Sequence, residues 1–229
     1  MKASICTLGC RVNQYESDAI REGLQDKGFT MVPFGADSDV VIINTCTVTG
    51  ESDRKSRQLI RRAAGAAPNA AVIVTGCFAQ VSPDAAAALG ADAVVGNGEK
   101  GRIPDIAYTL VQGGCVGCTV SDIQTADWDD LQIHAPRRAR SYIKIEDGCE
   151  NRCAYCIIPA ARGRVRSKLA DRVVAEASVI AGTGCCEVIL TGIETGSYGR
   201  DLENMDLETL LGLVDQVPGI RRIALGSLD

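Results

Sequence analysis

The sequence predicts an α/β protein built on a largely parallel sheet. Short apolar stretches alternate with segments of helical periodicity, and 46% of the 229 residues are hydrophobic against 23% charged. Strands that alternate with helices need crossover connections and therefore run parallel. This composition excludes a mainly disordered chain, and no apolar run approaches the roughly 20 residues that a membrane span requires.

An N-terminal α/β domain is predicted over residues 1–112. Its buried strands are predicted at Ala3–Cys6, Val40–Ile43, Ala71–Val74 and Ala93–Val95. Its helices are predicted at Tyr15–Gly28, Glu51–Gly65 and Ser82–Leu89. Gly28 closes the first helix and Gly90 follows the third, which suits the left-handed turn that ends many helices. Residues 113–136 contain many glycine, aspartate and serine residues and are predicted to form a linker.

Residues 137–229 show the same alternation and are predicted to begin a second parallel sheet. Its strands are predicted at Arg140–Glu146, Glu187–Ile193 and Ile220–Leu225, and its helices at Ala170–Ala181 and Leu207–Val217. Such a βαβαβ run is the start of a barrel. The last strand would present an open apolar edge, which predicts that the protein self-associates.

Cysteine usage points to thiolate chemistry, because eleven cysteines stand against a single histidine, His134. The first residues carry no export signal, so we expect a cytoplasmic protein with reduced thiols. With one histidine, any metal site must be mostly thiolate, which favours iron–sulfur clusters or zinc. His134 itself is expected to be an ordinary surface residue.

Three cysteines of the first domain, Cys10, Cys46 and Cys77, each follow a predicted strand. The carboxyl ends of parallel strands meet at one edge of a sheet, where α/β proteins bind ligands. Three thiolates gathered there are able to hold a cluster and leave one iron without a protein ligand. The alternative is three buried, inert thiols, but the shared placement favours a site.

A second set, Cys149, Cys153 and Cys156, has the spacing C-x-x-x-C-x-x-C. Three thiolates on one loop can bind three irons of a 4Fe–4S cluster and leave the fourth open to an exchangeable ligand. Zinc would need a fourth protein ligand, and none lies at the usual spacing. Five further cysteines receive no assigned role: Cys6, Cys115, Cys118, Cys185 and Cys186.

Charge is distributed unevenly along the chain. The formal net charge is −5, yet the stretch from Pro136 to Arg172 carries ten cations and four anions. This basic stretch surrounds the second cysteine set, which predicts an anionic partner near it. The alternative interpretation is a solvated charged face.

The cysteine spacing, with Tyr155 before the last cysteine, resembles the radical S-adenosylmethionine superfamily. Four segments together resemble the methylthiotransferases of that superfamily: Thr7–Ser17, Asn44–Thr49, Thr75–Cys77 and Gly148–Ser167. Family barrels have about six βα units followed by a small RNA-binding β domain. The resemblance therefore implies a radical S-adenosylmethionine barrel that is truncated here at about three strands.

The resemblance implies two 4Fe–4S clusters and S-adenosylmethionine as cofactors. Cys10, Cys46 and Cys77 would hold an auxiliary cluster that carries sulfur, and the second set would hold the radical-generating one. Cofactor contacts are implied for Tyr155, Gly192, Glu194 and Ser227, and RNA contacts for Arg162, Arg164 and Arg166. No catalytic side chain is assigned.

Three branches of the family differ in substrate. The segments Leu8–Gln14, Val188–Ile193 and Gly196–Gly199 resemble most the branch that modifies carbon 2 of threonylcarbamoyladenosine beside the tRNA anticodon. The other branches modify isopentenyladenosine in tRNA or an aspartate of a ribosomal protein. The expected partners are the anticodon loop and an electron donor such as flavodoxin or ferredoxin.

Three other classes stay open at this point. They are a zinc-bound RNA-binding module without catalysis, a radical enzyme with a corrinoid-binding front domain, and a non-catalytic fragment. The sequence does not indicate the sulfur source.

Overall fold

The computed structural model describes residues 1–66, 69–136 and 140–228. A parallel sheet organises the N-terminal half. Its strands are β1 (Lys2–Thr7), β2 (Thr30–Met31), β3 (Val40–Thr45), β4 (Ala71–Gly76), β5 (Ala93–Val95) and β6 (Cys118–Thr119). Their spatial order is β2-β1-β3-β4-β5-β6, and each neighbouring pair is parallel. The adjacency of β1, β3 and β4 places three strand ends side by side.

Helices cover both faces of this sheet. They are α1 (Arg11–Asp26), α2 (Gly50–Ala66), α3 (Cys77–Val81), α4 (Pro83–Ala88) and α5 (Ile103–Val111). Alternate residues of β3 point to opposite cores, so Ile42 packs with α1 and α5 while Ile43 packs with α2, α3 and α4. This arrangement explains why β3 is an unbroken apolar run, as expected for a central parallel strand.

A second parallel sheet organises the C-terminal half. The strands and helices of this half are β7 (Ser141–Lys144), β8 (Glu146–Asp147), α6 (Ile158–Arg162), β9 (Arg166–Ser167), α7 (Ala170–Gly182), β10 (Glu187–Thr191), α8 (Leu207–Asp215) and β11 (Arg222–Leu225). The parallel order is β11-β10-β7, while β8 and β9 form a separate antiparallel pair. Helices α7 and α8 pack on one face, where Ile143 and Leu190 lie.

Helix α1 links the two halves by packing against the second sheet as well as the first. Tyr15 is fully buried, and its hydroxyl donates to the carbonyl of Leu131 at 2.6 Å and to Glu176 at 3.0 Å. Lys168 donates to the same Glu176 carboxylate at 2.5 Å. These buried bonds fix the start of α1, and hence Cys10, relative to the C-terminal half.

The alternation of strands and helices is confirmed, with several differences in detail. Helix α5 was not predicted, and β6 lies inside the segment 113–136 that was predicted as a linker. Strand β10 ends at Thr191 rather than Ile193 because Gly192 begins a turn around the Glu146 carboxylate. Arg137 and Arg138, part of the predicted basic stretch, lie outside the described residues.

Across the described ranges, none of the helices combines the length and apolar character needed to cross a membrane.

Candidate functional site

The cysteines of the first set meet at one edge of the N-terminal sheet. Cys10 lies just after β1, Cys46 directly follows β3, and Cys77 directly follows β4. Since β3 pairs with both β1 and β4, the three residues follow neighbouring strands. Cys46 and Cys77 are buried, whereas Cys10 is exposed. The described structure therefore brings together the three residues that the sequence predicted to converge.

Glycines allow these cysteine loops to approach each other. A side chain on Gly9 would lie 2.9 Å from Cβ and 3.0 Å from Sγ of Cys46. Gly76 has φ +94°, and a Cβ there would overlap the Thr45 carbonyl. Both positions require a residue without a side chain, because only glycine combines positive φ with so close an approach.

Two asparagines secure the same loops. Asn13 donates to the carbonyls of Leu8 at 2.7 Å and Thr45 at 2.9 Å, joining the loops that carry Cys10 and Cys46. Asn44 in turn donates to the carbonyl of Asn13 at 3.0 Å. These hydrogen bonds fix the backbone of the two loops. They also satisfy buried backbone carbonyls and side-chain amides that would otherwise have no partner.

The thiols of the first set interact electrostatically. Burial raises the pKa of the Cys46 thiol, and charge on Cys77 and Cys10 raises it further, partly opposed by hydrogen bonds from Val48 and Ser52. The buried cations Lys100 and Arg162 lie within electrostatic reach of Cys77. Three thiols, with two buried cations near Cys77, form a donor set that would suit an anionic iron–sulfur cluster once the thiols are deprotonated.

The second set lies on one loop of the C-terminal half. Cys149 and Cys156 are half-buried and Cys153 is exposed. The loop closes on itself because the Cys149 amide donates to the Gly163 carbonyl at 3.1 Å and the Cys156 amide donates to that of Cys153 at 3.0 Å. Gly148, at φ +94°, packs so tightly on the Arg164 backbone that no side chain fits. The loop is therefore fixed at its base and open at its tip.

A buried charge cluster lies between the two sets. The carboxylate of Glu16 accepts from Lys144 at 3.0 Å, from Arg162 at 2.6 Å, and from Lys100. Asp147 adds a second carboxylate, 2.6 Å from Lys144 and 3.1 Å from Arg162. Burial alone would raise the pKa of Glu16, but the three cations hold it well below its ordinary value. This Glu16 cluster joins elements that carry both cysteine sets.

Three of the four residues predicted to contact S-adenosylmethionine follow strands of the second sheet. Gly192 and Glu194 form a turn around Glu146, which accepts from the Glu194 amide at 2.8 Å. Ser227, with φ +55°, follows β11 and is exposed. Tyr155 is 92% exposed on the cysteine loop.

Two of the predicted RNA contacts are wrong. Arg162 is fully buried in the Glu16 cluster, and Arg166 is 5% exposed and donates to the Arg162 carbonyl at 2.8 Å. Their guanidinium groups are used to neutralise buried carboxylates, so RNA phosphates cannot reach them. Arg164 remains exposed and stays a predicted RNA contact.

Sequence reasoning missed Glu16, Lys100, Lys144 and Asp147. Each reads locally as an ordinary charged residue, although Lys144 interrupts the apolar pair Ile143 and Ile145 in a predicted strand. A charge in that setting is a weak sign of a buried ion pair.

In the described ranges, no three cysteine, histidine or carboxylate side chains surround a single point closely enough to hold one metal ion. In an iron–sulfur cube each thiolate binds a different iron, so the sulfurs lie farther apart than around a single zinc ion.

Several known proteins are similar to this chain. The family model described as "Uncharacterized protein family UPF0004" matches residues 2–96, which contain the first cysteine set. The chain is 39% identical over 227 residues to the threonylcarbamoyladenosine tRNA methylthiotransferase MtaB of Bacillus subtilis, covering 97% of this chain and 50% of the relative. It is also 39% identical to MtaB of Thermotoga maritima, covering 97% and 51%.

Among solved structures, the chain resembles the radical S-adenosylmethionine methyltransferase TsrM from Kitasatospora setae, solved with cobalamin and a 4Fe–4S cluster. The TM-score is 0.60 at 14% identity, covering 93% of this chain and 50% of that one. At this identity the likeness concerns the fold alone.

The fold is thus similar to that of a solved radical S-adenosylmethionine enzyme. Over nearly its whole length the chain is similar in sequence to tRNA methylthiotransferases. It spans about half the length of the curated relatives it matches.

Proposed function

We propose that this protein acts in transferring a methylthio group to carbon 2 of threonylcarbamoyladenosine beside the tRNA anticodon. The observation that carries the proposal is the pair of cysteine sets held in one frame by the Glu16 cluster. The printed names of the relatives at 39% identity support the substrate. The proposed reaction needs a sulfur source and a radical source close together. Two cysteine sets in one frame, each able to hold a cluster, would meet that need.

Each set has a proposed role. Cys10, Cys46 and Cys77 would bind an auxiliary 4Fe–4S cluster, and Cys149, Cys153 and Cys156 would bind the cluster that takes S-adenosylmethionine. When bound, these groups supply the radical and sulfur chemistry that side chains cannot provide at an unactivated C–H bond. The glycine contacts at Gly9 and the buried cations near Cys77 support this fit.

The residues of the second sheet would orient S-adenosylmethionine. In this proposal the turn at Gly192 and Glu194 faces the amino group, and Ser227 faces the ribose or carboxylate. Tyr155 lies on the loop that would approach the adenine. The buried Glu146 carboxyl holds the turn in place by accepting from the Glu194 amide.

The domain boundaries are part of the proposal. Residues 1–112 would form the methylthiotransferase N-terminal domain, 113–136 the connection, and 137–229 the first part of a radical S-adenosylmethionine barrel. Parallel pairing of β7, β10 and β11, with α7 and α8 on one face, supports the barrel assignment.

The anticodon loop would reach the exposed tip of the second cysteine loop. Arg152 and Arg164 are both exposed there and are free to contact phosphates, and a single-stranded loop presents its bases without duplex opening. An electron donor such as flavodoxin or ferredoxin would supply the reducing electron.

Iron analysis after anaerobic reconstitution tests the cluster assignment. We expect about eight irons per wild-type chain, and about four after either Cys46→Ala or Cys149→Ala. Cys186→Ala is the matched control, because Cys186 is also exposed to reconstitution but belongs to neither set. Stoichiometric zinc without iron would contradict the assignment.

Product analysis tests the reaction. The reconstituted protein should cleave S-adenosylmethionine to 5′-deoxyadenosine and add a methylthio group to tRNA that carries threonylcarbamoyladenosine. Modification of isopentenyladenosine tRNA instead would move the protein to another branch of the family.

A further inference from the structure

Arg11 is an exposed cation directly after Cys10. Among the described residues it has no ion pair and no hydrogen-bond partner for its side chain. The surrounding helix start adds positive potential, because α1 has no acidic residue in its first turn and Cys10 makes no side-chain capping bond. An unpaired guanidinium at the positive end of a helix is able to bind an anionic ligand.

The Arg11 side chain reaches the second sheet. A Cβ built on Gly226 would lie 2.9 Å from Nη1 of Arg11 and 3.4 Å from Oγ1 of Thr191. Gly226 follows β11 and Thr191 ends β10, so Arg11 extends from the first cysteine set to the strand ends of the C-terminal half. The absence of a side chain at Gly226 is what allows this approach.

A second observation points to a ligand at the same place. Thr191 is fully buried, yet its hydroxyl has no hydrogen-bond partner among the described residues. An unpaired buried hydroxyl costs free energy unless a ligand or water satisfies it. The hydroxyl of Thr191 and the guanidinium of Arg11 flank Gly226 and so present two donors to one small space.

A cavity adjoins this space. Its volume is about 500 Å³, and its lining includes Cys10, Arg11, Gln14, Arg140, Tyr142 and Ile189. Ile189 and Thr191 lie on the same face of β10, because alternate residues of a strand share a face. The cavity therefore opens beside Cys10, on the face of β10 that also carries Thr191, and it is large enough for part of a modified nucleoside.

We propose that Arg11, assisted by the Thr191 hydroxyl, binds a carboxylate between the two cysteine sets. This inference rests on the proposed function, which brings two carboxylates to this region. One is the threonine carboxylate of threonylcarbamoyladenosine, and the other is the methionine carboxylate of S-adenosylmethionine. In the first case Arg11 determines specificity, since an isopentenyl group carries no charge.

Binding measurements with paired ligands test the inference. Threonylcarbamoyladenosine and its carboxamide, in which the acid is replaced by an amide, are titrated into wild type, Arg11→Gln, Arg11→Lys and Thr191→Val. We expect wild type to prefer the acid by about tenfold or more, Arg11→Gln to lose that preference, and Arg11→Lys to keep part of it. Thr191→Val should weaken binding of the acid only.

A separate titration identifies the source of the carboxylate. S-adenosylmethionine and its carboxamide are titrated into the reconstituted proteins. Loss of the acid preference in this titration after Arg11→Gln assigns the carboxylate to S-adenosylmethionine; loss in the nucleoside titration assigns it to the substrate. Arg221→Gln is the matched control, because Arg221 is exposed at the opposite end of β11.

Two outcomes separate this inference from the proposed function. If Arg11→Gln and wild type bind both acids equally, or neither acid binds measurably, the inference is wrong even where tRNA is still methylthiolated. If the acid preference depends on Arg11 but no methylthiolated tRNA forms, the proposed function fails and carboxylate binding by Arg11 stands.

Discussion

Arg162 donates to the Glu16 carboxylate at 2.6 Å, and both side chains are fully buried. Glu16 belongs to α1, six residues after Cys10, while Arg162 ends α6, six residues after Cys156. This one ion pair therefore connects the helix that follows Cys10 to the helix that follows Cys156. Removing one partner of a buried pair leaves an uncompensated charge, which costs far more than losing a surface pair.

Glu16→Gln should be strongly destabilising. Arg162, Lys100 and Lys144 would lose the carboxylate that faces all three, and we expect a loss of about 3–5 kcal/mol in the free energy of unfolding. Urea denaturation at pH 7 measures this. Glu51→Gln serves as a control, since Glu51 pairs with Arg54 on the surface and should change little. Equal stability of the two variants would contradict the role of the Glu16 cluster.

Gly76→Ala should disrupt the first cysteine set. The new Cβ would overlap the Thr45 carbonyl, so strain of about 1–2 kcal/mol from positive φ is joined by a steric clash. Gly35→Ala is the matched control, because Gly35 has φ +90° but nothing within 4 Å of the new Cβ. Thermal unfolding should show a clearly larger loss for Gly76→Ala, together with reduced iron uptake. Similar losses of thermal stability in the two variants would mean that the close contact between Gly76 and the Thr45 carbonyl is unimportant.

The stability of the protein should depend on Glu146 at mildly alkaline pH. Burial raises the pKa of this carboxyl from 4.5 to about 8, and its Oε1 has no partner among the described residues. Between pH 4.5 and about pH 8, Glu146 keeps its proton in the folded state but has released it in the unfolded state. Stability therefore falls as pH rises from about 4.5 to about 8 and then levels off.

Glu146→Gln removes this titration. The free energy of unfolding, measured by urea denaturation from pH 5 to pH 9, should lose the decrease assigned to Glu146, so that wild type and variant diverge by a few kcal/mol over this range. Parallel curves for the two proteins would show that Glu146 is ionised throughout.

Much of the fold was predictable because its main strands are long apolar runs. The β3 prediction succeeded since four consecutive β-branched apolar residues, Val40–Ile43, leave little ambiguity. The two-residue strands β2, β6, β8 and β9 are too short to produce a pattern. Helix α5 was missed because its apolar and β-branched residues have low helix propensity, and it is held by packing of Ile103 and Ile106 on the sheet.

The convergence of Cys10, Cys46 and Cys77 at one sheet edge was predictable from the strand ends, while the surroundings of both cysteine sets were not. Local sequence carries no information on whether an arginine faces solvent or a carboxylate from a distant segment. Arg162 and Glu16 are separated by 146 residues, so only the folded chain reveals that they meet. Arg164 remains exposed although it lies between two buried arginines.

Helix α1 carries Cys10 at its start and Glu16 less than two turns later. Each residue of an α-helix advances the side-chain direction by about 100°. Inserting one alanine between Cys10 and Glu16 would therefore rotate the Glu16 side chain away from Arg162, although both Cys10 and Glu16 would still be present. The phase of a single helix thus sets how the sulfur-bearing edge of one half faces the other.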